Sequence, residues 1–120
     1  MKRLLPVLGI VAALLLMAAP TFAAENHTCD HNGTTIESLH HCVMHAYDMG
    51  HITNAGVANS LLAKLDAAQA AFDRGQSDVA VRLLHAFINE VNAQAGKTIV
   101  AEHAGHLAEH AQNVITALGG

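Results

Sequence analysis

Near the carboxy terminus, inside the run EHAGHLAEHAQNVITAL, stands HLAEH, residues 106–110. His-x-x-Glu-His is the pattern of inverted zinc peptidases, with two imidazoles one helical turn apart and a carboxylate beside the metal. That chemistry also needs a further carboxylate ligand well downstream and a cleft for substrate. Gln112 to Gly120 contain no Asp, Glu, His or Cys, and a chain of this size has no room for a catalytic peptidase fold. The peptidase reading fails; with His and Glu this frequent the pattern arises by chance, and the reading left to weigh against that is a metal-binding surface. His106 and His110 lie at i, i+4, a spacing at which two rings share one ion, and His103 falls on the same side of a helical wheel. The wheel sets these three rings on a shoulder of the apolar stripe. His41 and His45 repeat the spacing near the start of the chain. If the two helices are neighbours, the pairs complete a tetrahedral N4 shell for Zn2+ or a tetragonal one for Cu2+ or Ni2+.

Two cysteines, Cys29 and Cys42, enclose the twelve residues DHNGTTIESLHH. In an exported chain an even cysteine count favours a disulfide. Free thiols ligating a metal with His31, His40 or His41 form the second reading. His27 and His31 add weak ligands, Met44, on the exposed side, and Met49 are taken as packing residues rather than copper ligands, and His51 and His85 receive no role. The plainer alternative is that the ten histidines are solvated helix residues which bind metals only loosely.

Export is expected from residues 1–23. Lys2 and Arg3 precede an apolar run from Leu4 to Ala19, then Pro20 and Thr21-Phe22-Ala23 supply a cleavage segment, the anatomy of a signal peptide. Cleavage leaves 97 of the 120 residues, enough for one domain with a modest core. It also leaves four Lys and Arg against ten Asp and Glu, a net charge of −6. No basic stripe exists for nucleic acid, and no membrane span is expected after cleavage. The location is the periplasm or the outside of the cell. Acidification would protonate ten imidazoles, carry the net charge to about +4 and set like charges against each other on the last helix.

Residues 24–33 read as a flexible polar arm containing Cys and His, and residues 34–118 as a helical bundle. Thr34-Thr35-Ile36-Glu37 fits a capping box with Thr34 as N-cap, and Ile36, Leu39, Val43, Ala46 and Tyr47 follow at helical spacing up to Gly50. Asn54 caps a second helix with the face Leu61, Leu62, Leu65, Ala68 and Phe72, ending at Gly75. Ser77 caps a third, with Ala80, Leu83, Leu84, Phe87, Ile88 and Val91, ending near Gly96. The fourth runs from about Val100 to Leu118, with Ala104, Leu107, Ala111, Val114, Ile115 and Leu118 inward. Short joints and no strand-like alternation give an all-α antiparallel four-helix bundle.

The stretch from Gly50 resembles the FIMAH domain, a small helical module often attached to secreted bacterial metalloproteases and hydrolases. The resemblance rests on Gly50, Ile52, the run VANSLLAKL (57–65) and the run LHAFINEVNAQAGK (84–97), and covers about residues 50–118. It implies the fold and an extracellular setting, and no catalytic constellation. The His-bearing last helix and the Cys/His segment are not what a generic member would carry. The chain is expected to be a non-enzymatic interaction or accessory module, requiring no cofactor, with a protein or extracellular polymer as partner. The alternative is a His-rich protein that binds or buffers Zn, Cu or Ni in the periplasm.

Overall fold

The computed structural model describes residues 29–120. The expected signal peptide, residues 24–28 of the arm and His27 lie outside the described residues. Four helices follow in order: α1 (Ile36–Asp48), α2 (Ala55–Asp73), α3 (Ser77–Gln94) and α4 (Ala101–Ala117). α2 packs on α1 and α3, and α4 packs on α3 and α1, so the bundle closes on itself with the first and last helices side by side. That closure brings residues of the amino-terminal loop and of α1 against α4.

Each helix forms where its apolar residues recur at three and four positions, and each stops for a local reason. The N-cap of α1 is Thr35, not the expected Thr34. Its side chain accepts from the Ser38 N–H at 3.1 Å, and Ser38 takes the place expected for Glu37. Burial of Ile36 fixes this register. After Asp48 the chain turns through Gly50 at φ +81°, a left-handed conformation that a side chain would strain. The His51 N–H donates to the Ala46 carbonyl at 2.8 Å, and the Gly50 N–H to the Tyr47 carbonyl at 3.0 Å, the paired hydrogen bonds of a Schellman stop. Gly75 ends α2 in the same way. Asn54 caps α2 as expected, accepting from the Val57 N–H. Ser77 is the first residue of α3 and does not cap it; Gln76 holds that position without a side-chain bond.

The core consists of the inward stripes, including Leu39, Val43, Leu61, Leu65, Leu84, Phe87, Val91, Leu107, Val114 and Ile115. Burying each of the larger side chains stabilises the fold by about 1.5–3 kcal/mol before the entropy of ordering is counted. Several expected packing residues stand outside it. Phe72 and Tyr47 are more than two-fifths exposed, and Met49 also faces solvent; Met44 is exposed, as its place on the outer side of the wheel predicts. Ile52 and Ile99, both in joints, are instead fully buried. They meet in an antiparallel bridge, flanked by Thr53 N–H to Thr98 carbonyl at 2.8 Å and Val100 N–H to His51 carbonyl at 2.9 Å. The bridge ties the α1–α2 joint to the start of α4, which sets His51 beside His103.

Candidate metal centre between α1 and α4

The principal departure from the sequence reading is His110. It is fully buried inside the bundle, not on the shoulder of α4. A buried imidazole needs partners for its two nitrogens, and α1 sets a side chain against each of them from successive turns. Ser38 Oγ lies 3.0 Å from His110 Nε2, and Cys42 Sγ lies 3.3 Å from Nδ1. The hydroxyl hydrogen of Ser38 is committed to the Thr35 carbonyl at 2.7 Å. Ser38 Oγ is therefore the acceptor, and Nε2 carries the ring proton. Nδ1 is left with its lone pair directed at sulfur.

Cys42 is itself buried and forms a disulfide with Cys29, with Cα atoms 4.7 Å apart. This bond anchors the amino-terminal loop to α1. The loop is tightened by a turn in which the Gly33 and Asn32 N–H groups bond to the Asp30 carbonyl and carboxylate. Gly33 lies so close to α1 that a Cβ at this position would collide with the Ser38 side chain. His31 follows the loop, and its Nδ1 lies 3.3 Å from Cys29 Sγ. Cys29, His31, Cys42 and His110 thus form one group, each offering a donor atom, with all four atoms within 4.8 Å of one another.

Above this group a cleft of about 190 Å³ opens between α1 and α4, lined by Cys29, His31, Cys42, His45, Ala46, His103 and Leu107. The His103 ring stacks on His51 with centroids 3.6 Å apart, and His106 meets the edge of His31 at 5.0 Å. His103 Nδ1 is buried and has no hydrogen-bond partner. Burial, then the neighbouring His51 and His106, hold the His103 pKa below the ordinary imidazole value. Burial also lowers His110, reinforced by His31 and opposed by Asp30 and the Gly33 carbonyl. Both rings therefore remain neutral, with an available lone pair, to lower pH than a free histidine.

Of the residues expected to bind metal, His45 and His103 line the cleft, His110 lies in the four-residue group, and His106 stands exposed at the rim against His31. His41 is directed elsewhere. It lines a separate depression with His40 and Asp66, 4.0 Å from Glu37, and His40 contacts Asp66 at 3.3 Å. His51, given no role from sequence, belongs to the imidazole array. His31, taken as a weak ligand, joins that array through His106 and the four-residue group through Cys29. The sequence signal for His31 was its spacing: a histidine two residues from a cysteine goes where the disulfide goes.

The lowered pKa values fix the sign of a pH effect on the metal-free chain. Below about pH 6.5 the unfolded chain binds protons that folded His103 and His110 resist, so stability is lost as the pH is lowered. The thermal midpoint is expected to drop between pH 7.5 and 5.5. A midpoint that holds or rises over this range would contradict the burial of these rings.

The fold is a closed all-α module with a sulfur- and imidazole-lined cleft beside its disulfide. The FIMAH domain model matches residues 36–116, and the chain belongs to that family. The match takes in α1 as well as the region from Gly50 on which the resemblance rests. Cys42 and His110 fall inside the matched span, whereas Cys29 and His31 precede it. No curated protein and no solved structure matches the chain.

Proposed function

We propose that this chain is an exported, non-enzymatic FIMAH module that binds a transition metal ion in the cleft between α1 and α4. The observation that carries the reading is His103. Its Nδ1 is buried without a partner in a cleft that also presents His31 and His45. Burying an imidazole nitrogen unanswered is costly, and a metal ion is a partner that would answer it. With the disulfide intact the sulfurs are poor ligands, and imidazole donors suit Cu2+, Ni2+ and Zn2+, with Cu2+ favoured by the general affinity order. Export is supported by the disulfide and by the leader-like residues 1–23. No helix among the described residues is long and apolar enough to cross a membrane.

The test is calorimetric titration of the oxidised mature chain with Cu2+, Ni2+ and Zn2+. One ion per chain is expected, with Cu2+ tightest, and affinity falling about tenfold or more in the His31→Ala/His103→Ala double variant. Loose heat from several equivalent sites, unchanged in that variant, would overturn the reading.

A further inference from the structure

The disulfide sets each of its sulfurs against an imidazole nitrogen, and at His110 that nitrogen carries a lone pair the sulfur cannot answer. His110 Nδ1 faces Cys42 Sγ at 3.3 Å, and His31 Nδ1 faces Cys29 Sγ at 3.3 Å. A sulfur in a disulfide carries no hydrogen to donate. For His110, fully buried and with Nε2 bonded to Ser38, Nδ1 is an acceptor without a donor in the oxidised chain. Two changes would satisfy it: a thiol hydrogen, or a metal ion.

The spacing suits the metal. In a tetrahedral site with Zn–S near 2.3 Å and Zn–N near 2.0–2.1 Å, a sulfur and a nitrogen ligand lie about 3.5 Å apart. Both sulfur–nitrogen contacts already stand close to that distance. The two sulfurs must separate to about 3.8 Å, and the four donor atoms, already within 4.8 Å of one another, must close around the ion. Ser38 Oγ, accepting the Nε2 proton of His110, is the outer partner that fixes a ligating imidazole in the required tautomer. The donors come from the amino-terminal loop, α1 and α4, so an ion here would join three segments.

We infer that reduction of the Cys29–Cys42 bond converts these side chains into a Cys2His2 site for Zn2+, formed by Cys29, His31, Cys42 and His110. Disulfide and zinc site are then two alternative states of the same corner. This deepens the metal-binding reading of the cleft and rests on it. In the reducing step an external dithiol gives the S–S bond two electrons and two protons and becomes a disulfide. The two protein thiols release two protons as Zn2+ binds their thiolates. Reoxidation by a disulfide oxidant removes the thiolate ligands and frees the ion.

The experiment measures Zn2+ affinity by competition with a chromophoric chelator, on the oxidised chain and on the chain reduced anaerobically with a phosphine. Co2+ substitution reports thiolate ligation through its charge-transfer absorption. The reduced chain is expected to bind one Zn2+ on the order of 100-fold more tightly than the oxidised chain. His31→Ala, at an exposed position, and His110→Gln should each remove most of that gain, and Cys29→Ser should abolish the Co2+ charge-transfer band. Equal affinity in the two redox states overturns the inference while leaving imidazole binding in the oxidised cleft intact. So does a reduced chain that unfolds and is not restored by Zn2+. Binding in neither state overturns both readings.

Discussion

Cys29→Ala is expected to lower the unfolding free energy by about 3 kcal/mol, the loop-entropy contribution of a bridge closing twelve residues. Cys29 is the informative end to remove. Cys42 keeps its volume in the core, and its freed thiol acquires a hydrogen that can point at His110 Nδ1, 3.3 Å away. The loss therefore reports the constraint on the loop rather than a cavity. For a domain of this size a thermal midpoint lower by more than about 10 °C should follow. Urea unfolding of the oxidised chain and the variant measures the difference. A loss under about 0.5 kcal/mol would mean that the loop is held by its other contacts, the Asp30 turn and the approach of Gly33 to Ser38.

The second large effect belongs to His110. Removing this ring by His110→Ala leaves a void between α1 and α4 and is expected to cost about 2–4 kcal/mol, as for other large-to-small core substitutions. His110→Leu distinguishes volume from polarity. Leucine fills much of the same space and removes the lone pair that the disulfide cannot satisfy, so its cost should stay under about 1.5 kcal/mol. It should also flatten the decline in stability on acidification, because one of the two imidazoles with a lowered pKa is gone. Unfolding curves at pH 7.5 and 5.5 for the three chains separate these effects. An Ala variant as stable as the parent would contradict the burial of the ring.

The bundle was legible because apolar residues at three- and four-residue spacing, glycine stops and Asn54 all agree on helices. Details that depend on a neighbour were less so. Thr34 and Thr35 are equally good caps in sequence, and the burial of Ile36 chooses between them. Phe72 lies on the same wheel face as Leu65, yet toward the end of α2 the buried residues are Ala68 and Ala71, and the phenyl ring faces solvent. The wheel of α4 put His110 on a shoulder because its angle falls just beside the apolar stripe, and α4 alone does not show what will face the ring. The side chains that face it, Ser38 and Cys42, are 72 and 68 residues away in the chain. A polar residue beside an apolar stripe is resolved only by what the facing helix offers, and here α1 offers a hydroxyl and a sulfur one turn apart. The joints hid Ile52 and Ile99 for the same reason, since each is buried by the other's loop.

The most direct test of the α1/α4 cleft as the metal site is an imidazole-selective nitrogen–proton NMR spectrum of the oxidised chain, recorded as Cu2+ is added below one equivalent. Paramagnetic broadening should erase the ring signals of His31, His45 and His103 together and first, while His85 and His40, away from the cleft, stay sharp. Uniform broadening of all the histidines, or loss of His85 or His40 before His103, would contradict the account.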